Sequence, residues 1–207
     1  MKIPFILILL STLVHAQTAA YILCEGNFMV GNSTLWKISN QSEISGINEN
    51  PIGDTGQSLT KDGNRLFSIM NGTGTIEVFD ILESGDLDFV TSISTNFSGP
   101  REMVVLNGKG FVTEWYTNSI AILDLESLTF IGSIPVQGLP EDILTDGEQL
   151  FVSITMNSDW SNANTVVVID PVSGLIINEF VVASGPGQML LENDHLFISH
   201  IYYDDNW

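Results

Sequence analysis

The side chains best suited to binding or catalysis recur at one position in the chain's turns. Each stands two residues past a Gly-Pro pair or its equivalent, and the set is Gln57, Glu102, Asp142 and Gln188. Other segments add the aromatic residues Trp115, Tyr116 and Trp160, with Asp159 beside the last. Carboxylates bordered by aromatic rings favour a cationic or sugar-like ligand, or the basic loop of a partner protein, through ion pairing, stacking and cation–π contact.

Combinations of residues that support catalysis are scarce. Beyond residue 16 the histidines are His195 and His200, and their spacing on an extended strand points the two rings to opposite faces. The sequence has no haem-attachment motif, no zinc-protease motif, no nucleophile elbow and no phosphate-binding glycine loop. We therefore expect no catalytic residue and no cofactor.

Two acidic loops contain oxygen ligands of the kind that calcium prefers. One surrounds Asp159, and the other holds Asp204 and Asp205. Neither follows the spacing of a calcium-binding loop. Solvated loop carboxylates are the favoured interpretation, so no metal site is predicted.

Four stretches of the chain share one pattern, which indicates the elements that must position these side chains. Their common residue is a phenylalanine, at positions 67, 111, 151 and 197, so that the repeat length is roughly 40 to 46 residues. A polar turn precedes each phenylalanine, and a second apolar strand follows the first three. Repeats of this length with four short strands each are typical of a β-propeller.

The pattern predicts an all-β chain, a β-propeller of four-stranded blades, with no helix beyond residue 16. The repeats fall at approximately 20–54, 55–97, 98–137, 138–183 and 184–207. A turn that contains proline opens the later repeats, and the strand after it is predicted to start at Met103, Ile143 and Met189.

In such a ring, the loops between second and third strands open on the same face as the turns between blades. The polar and aromatic sets would then meet around the mouth of the central channel. The residues Glu25, Phe28, Glu114, Tyr202 and Tyr203 would join them there. The alternative for Trp115 and Trp160 is simple packing between neighbouring blades.

Two segments resemble a known family. Tyr116 to Asp124 and Asn164 to Asp170 are similar to the repeats of YVTN or YncE-like seven-bladed β-propellers, and Tyr21 to Phe28 resembles the first blade of exported bacterial members. The resemblance implies that about four to four and a half of seven blades are present, as the N-terminal portion of a longer protein. It implies little about activity, because family members are mostly of unknown or non-catalytic function.

The N-terminal segment 1–16 is predicted to be a signal peptide. Lys2 precedes an apolar run from Ile3 to Val14, and Ala16 ends a small-residue cleavage site. This run is too short to span a membrane, and no later stretch is long enough. We expect an exported protein, periplasmic, extracellular or at the cell surface. Cys24 is the single cysteine, so no internal disulfide is possible.

The net charge of the chain excludes some classes of binding partner. The chain has 25 acidic and 6 basic residues and a formal net charge of −19. The phosphate backbones of nucleic acids and the surfaces of anionic membranes are bound by clustered Lys and Arg, so neither nucleic acid nor a membrane surface is an expected partner. A uniformly acidic surface that serves only solubility is the alternative to attraction of cationic partners.

These features predict an exported acidic propeller that binds a partner protein, a carbohydrate or a cationic ligand. One alternative is an enzyme, or an enzyme subunit, on a propeller scaffold of the quinoprotein or lyase kind, with catalytic residues in blades beyond residue 207. Another is a structural protein of the cell envelope.

Overall fold

The structure is a computed structural model that describes residues 20–39, 43–47 and 51–200. These residues form strands, turns and loops without a helix, and therefore without a helix that could cross a membrane. The predicted signal peptide lies outside the described residues, as do Tyr202, Tyr203, Asp204 and Asp205.

The described strands pair into five antiparallel sheets, each in the order of the sequence. The first sheet holds β1 (Ala20–Cys24), β2 (Thr34–Ile38) and β3 (Ile44–Gly46). The second holds β4 (Gly56–Asp62), β5 (Arg65–Met70), β6 (Thr75–Ile81) and β7 (Leu87–Ser94). The third holds β8 (Pro100–Leu106), β9 (Lys109–Glu114), β10 (Ser119–Asp124) and β11 (Thr129–Pro135). The fourth holds β12 (Leu139–Thr145), β13 (Leu150–Met156), β14 (Asn162–Asp170) and β15 (Leu175–Val181), and the fifth holds β16 (Pro186–Glu192) and β17 (His195–His200).

The first strands of successive sheets lie beside one another. Strand β8 contacts β4 on one side and β12 on the other, and β12 also contacts β16. Sheets that meet along their first strands and extend outward from them are the blades of a β-propeller. The predicted all-β propeller fold is therefore confirmed.

Local sequence explains why these strands form hairpins. Asn107 and Gly108 join β8 to β9 with positive φ angles of 51° and 73°. Two consecutive left-handed residues make the turn whose twist matches that of the strands, and Asn-Gly adopts it at low cost. The flanking strands are rich in valine and phenylalanine, which favour extended backbone.

Apolar side chains fill the spaces between successive sheets. Leu35, Leu66 and Phe79 lie between the first and second sheets. Phe67 packs with Val112 and Leu123 between the second and third, and Phe111 packs with Ile134 and Leu150 between the third and fourth. Full burial of one such side chain stabilises the fold by about 1.5–3 kcal/mol.

A hydroxyl two residues after the phenylalanine connects the third blade to the fourth and the fourth to the fifth. Thr113 Oγ1 accepts from the Glu102 backbone N–H and donates to the Glu141 carbonyl, both at 2.9 Å. Ser153 Oγ repeats this, accepting from the Asp142 N–H at 3.0 Å and donating to the Gly187 carbonyl at 2.9 Å. Each hydroxyl thus satisfies backbone groups of two inner strands at once.

The inner strands begin earlier than the sequence indicated. Strands β8, β12 and β16 begin at Pro100, Leu139 and Pro186 rather than at Met103, Ile143 and Met189. The register shifts between each proline and the later residue, which marks a β-bulge. A bulge allows proline near the start of a strand, because its missing N–H removes no ladder hydrogen bond there.

Candidate functional site

The four predicted polar residues lie at the bulges of the inner strands. Strand β4 has a register shift between Gly56 and Ser58, which places Gln57 at the bulge. The shifts in β8, β12 and β16 each leave two residues at the bulge, and Glu102, Asp142 and Gln188 are the second of each pair. In β4 that second position is held by Ser58, which pairs with Ile69, so Gln57 corresponds to the first position. An extra residue in one strand redirects its side chain, and bulges are frequent next to binding sites for that reason. The inner strands contact one another, so the set lies along the inner edge of the blades.

Glu102 is the most perturbed carboxyl group of this set. Gln188 Nε2 donates to Glu102 Oε1 at 3.3 Å, which connects the third blade to the fifth. Burial, followed by the negative charge of Asp142, raises the pKa of Glu102 to about 7, against the lowering effect of the Gln188 hydrogen bond. This carboxyl group is therefore half-protonated near neutral pH.

Asp142 is buried and holds backbone groups of two blades. Its carboxylate accepts from the Ile143 N–H at 2.8 Å and from the Met189 N–H at 2.6 Å. Burial raises the pKa of Asp142, and these two hydrogen bonds oppose the rise. Asp142 thus supplies negative charge to the site and also fixes the fifth blade to the fourth.

Each of these two bulges adds a neighbouring charged residue that sequence reasoning missed. Arg101 donates from Nε and a terminal NH₂ group to the two Glu141 oxygens, at 3.0 and 2.6 Å. Both side chains are largely buried. A two-residue bulge presents consecutive residues to the site, so a motif that counted only the second position could not find this pair.

The aromatic residues divide into one packed ring and two exposed ones. The Trp115 ring stacks under Arg101, with the guanidinium carbon 4.3 Å from the ring centroid. It also meets the Trp160 ring edge to face, with centroids 5.9 Å apart. Tyr116 and Trp160 remain 64% and 56% exposed. Trp115 therefore does pack between blades, while Tyr116 and Trp160 offer free ring surface.

Several other predicted residues hold loops together. Glu114 is buried and accepts from Ser98 Oγ at 2.6 Å and from Thr117 Oγ1 at 2.9 Å. Asp159 accepts from the N–H and hydroxyl of Ser161, and these bonds lower the pKa of Asp159. Glu25 and Phe28 are exposed in the loop between β1 and β2.

The histidines and the described acidic loop lie at the surface of the molecule. His195 Nδ1 lies 2.6 Å from the Asn193 carbonyl, and both His195 and His200 are exposed. Within residues 20–39, 43–47 and 51–200, no three His, Cys, Asp or Glu side chains converge in a way that could hold a metal ion.

Comparison with known proteins finds likeness in fold. No family model matches the chain, and no curated protein matches it in sequence. The resemblance to YncE-like propellers therefore stays a prediction.

Solved structures match most of this chain. A 6-phosphogluconolactonase candidate from Bacteroides fragilis NCTC 9343 has a TM-score of 0.69 and 15% identity, over 88% of this chain and 60% of that one. A second such candidate, from Bacteroides uniformis ATCC 8492, has a TM-score of 0.69 and 14% identity, over 88% and 61%. A protein from Lactobacillus plantarum has a TM-score of 0.61 and 17% identity, over 87% and 60%. At these identities the likeness shows the fold alone, and the chain spans about 60% of the length of these proteins.

Proposed function

We propose that this chain is part of an exported acidic β-propeller that binds an ammonium- or guanidinium-bearing ligand at the mouth of its channel. The observation that carries the proposal is the pair of carboxyl groups Glu102 and Asp142, at the bulges of adjacent inner strands. The charge of Asp142 contributes to the raised pKa of Glu102, so the two carboxyl groups interact electrostatically.

The local charge count favours a cation. Three carboxyl groups, Glu102, Glu141 and Asp142, share the site with one guanidinium, that of Arg101. Negative charge that is partly removed from water and incompletely compensated is unfavourable, and a bound cation relieves that cost. Binding would therefore lower the pKa of Glu102 from about 7 and release protons at neutral pH.

The aromatic residues support the same ligand class. Arg101 over Trp115 shows that an indole ring beside these acids already holds a guanidinium. The exposed rings of Tyr116 and Trp160 can do the same for a ligand, and each such contact is worth about 0.5–2 kcal/mol.

Titration calorimetry with spermidine at pH 7 tests this proposal. Runs in two buffers of different ionisation enthalpy should show protons released on binding, because spermidine stabilises ionised Glu102. Glu102→Gln should abolish that release and weaken binding about tenfold. Glu148→Gln, which removes an exposed acid from the turn between β12 and β13, is the matched control and should change neither result. Binding of equal strength to wild type and Glu102→Gln would contradict the proposal.

One observation favours an enzyme as the second candidate. A carboxyl group with a pKa of about 7 is suited to general acid or base catalysis near neutral pH. The fold neighbours include lactonase candidates, but a phosphorylated lactone is an anion and suits a site of three carboxyl groups and one guanidinium poorly. Hydrolysis of 6-phosphogluconolactone by the wild type, lost in Glu102→Gln, would favour the enzyme.

A further inference from the structure

Large apolar side chains are exposed on the loops at one end of the sheets. We call this set the apolar rim, and its members are Phe28, Met29, Val30, Phe97, Tyr116 and Trp160, which are 56% to 80% exposed. They occupy the connections β1–β2, β7–β8, β9–β10 and β13–β14. In an up-and-down sheet alternate connections lie at the same end, so the rim is on the face where the proposed binding site opens.

Contacts between loops connect the rim residues from one blade to the next. The Met29 N–H donates to Asp54 Oδ2 at 3.1 Å, and the Asp54 N–H donates to Thr73 Oγ1 at 2.6 Å. The next residue, Gly74, packs so closely on Phe97 that an added Cβ would lie 2.8 Å from the Phe97 Cα.

The other half of the rim is joined in the same way. Gly99 lies under the Tyr116 ring, where an added Cβ would be 3.0 Å from ring carbons. Trp115, next to Tyr116, contacts Trp160 edge to face. These contacts therefore connect the rim loops from the first blade to the fourth.

Three rim residues have a backbone conformation that bulky residues rarely adopt. The φ angles of Met29, Phe97 and Trp160 are 63°, 57° and 68°. Such left-handed conformations are unfavourable for residues with a Cβ atom, and glycine or asparagine would form the same turns at lower cost. Because these side chains are more than half exposed, burial offsets only part of this cost in the isolated chain. Contact with a partner would offset it.

The opposite end of the sheets is different. Its turns are polar, as at Asp62-Gly63, Asn107-Gly108 and Asp146-Gly147. Its large exposed apolar side chains in turns are Leu82 and Val172. The apolar rim is thus a property of one face and does not reflect apolar loops in general.

The charges around the rim indicate what kind of partner covers it. Glu25 and Asp159 are exposed beside it, and Glu102 and Asp142 lie near the starts of β8 and β12, at the same end of the sheets. The chain's formal net charge is −19, so anionic lipid headgroups would be repelled while basic side chains would be attracted.

We infer that this face docks a polypeptide segment in which apolar residues cover the rim and a lysine or arginine enters the acidic mouth. The entry of a lysine or arginine into the acidic site rests on the proposed function, whereas the exposure of the rim residues is a separate observation.

Fluorescence anisotropy with a labelled synthetic peptide of repeated Leu-Lys-Lys-Leu units tests the inference. The peptide should bind the full chain, and versions with Glu for Lys or Ser for Leu should each bind at least about tenfold more weakly. Equal binding of the Leu→Ser peptide would overturn the inference, because charge alone would then suffice.

Variants of the protein locate the contact. Phe97→Ser and Trp160→Ser should each weaken peptide binding about tenfold or more. Val172→Ser removes a 90% exposed side chain from the opposite face and should leave binding unchanged. Thermal unfolding of each variant checks that the fold is retained. Wild-type peptide affinity in both folded rim variants would overturn the inference.

The outcomes separate the rim from the mouth. Loss of spermidine binding in Glu102→Gln, with peptide binding unaffected by Phe97→Ser, would retain the proposed function and remove the docking surface. If peptide binding depends on Phe97 but the protein does not bind spermidine, the docking surface would be retained and the proposed function would be removed. Rim-dependent binding to phosphatidylcholine or phosphatidylglycerol vesicles, without peptide binding, would replace the polypeptide by a membrane.

Discussion

The interface between the third and fourth sheets and the outward face of the fifth sheet come from the same repeat, but their neighbours differ. Phe111 of β9 is 1% exposed and packs with Leu150 and Val152 of the next sheet. Phe197 holds the equivalent position in β17 and is 56% exposed. Residue type and strand position are the same, so the difference lies in the neighbours: Phe111 has β10 in its own sheet and the fourth sheet beside it, whereas the described fifth sheet holds β16 and β17 alone.

The fourth strands show the same contrast. Ile134 of β11, which pairs with Ile120, is 3% exposed. Phe180 of β15, which pairs with the equivalent Val166, is 44% exposed. Each sheet therefore presents an apolar face whatever lies beside it, and its contribution to stability depends on whether the next sheet covers that face.

The largest expected difference between the two regions concerns the repeated phenylalanine. Phe111→Ala should lower the free energy of unfolding by about 3–5 kcal/mol, because it leaves a cavity between two sheets. Phe197→Ala is the matched control and should cost less than about 1 kcal/mol. Urea unfolding of both variants measures the difference. Similar losses would mean that Phe197 is covered in solution.

A smaller effect is expected for the hydroxyl that follows the phenylalanine. Thr113→Val keeps the shape but leaves the Glu102 N–H and the Glu141 carbonyl without this partner, at a cost of about 1–3 kcal/mol. Ser199 donates to the Gln188 carbonyl at 3.0 Å but is exposed, so Ser199→Ala should cost less than about 1 kcal/mol because water replaces the bond. The same urea titrations apply, and equal costs would show that burial does not matter at this position.

The fold could be predicted because each repeat contains the local sequence signals of its own strands. The phenylalanine, its preceding turn and the following β-branched strand are local features, and local features decide strand and hairpin formation. The exposure of Phe67 and Phe197 could not be predicted in this way. Both follow a leucine in the same kind of strand, and the strands and sheets that surround each one make Phe67 buried and Phe197 56% exposed.

The site could be predicted in part. The recurrence of a polar residue after proline located Glu102, Asp142 and Gln188, because all three lie at bulges of inner strands. The bulge itself depends on pairing with the second strand, which the sequence does not display. The pairing of Arg101 with Glu141 was therefore missed, as was the burial that raises the pKa of Glu102.

The smallest expected effect concerns Glu102, a carboxyl group of the third sheet that Gln188 of the fifth sheet contacts. Its pKa is raised from 4.5 to about 7 in the folded protein, so between these values the folded chain holds a proton that the unfolded chain releases. Stability should consequently fall as the pH rises through this window. The loss should be about 1–2 kcal/mol, since partial solvent exposure weakens the full effect. Glu102→Gln should remove this part of the pH dependence.

Asp124 provides a control of opposite sign. It accepts from the Ser127 N–H and hydroxyl, which lowers its pKa below 3.8, so its contribution is present above that pH and is lost as the pH falls further. Asp124→Asn should therefore leave the difference between pH 4.5 and 7 intact. Urea unfolding of wild type and both variants across this range separates the two groups. If the unfolding free energy of Glu102→Gln fell with pH as steeply as that of the wild type, Glu102 would not be protonated in its hydrogen bond to Gln188. The third and fifth sheets would then be electrostatically independent.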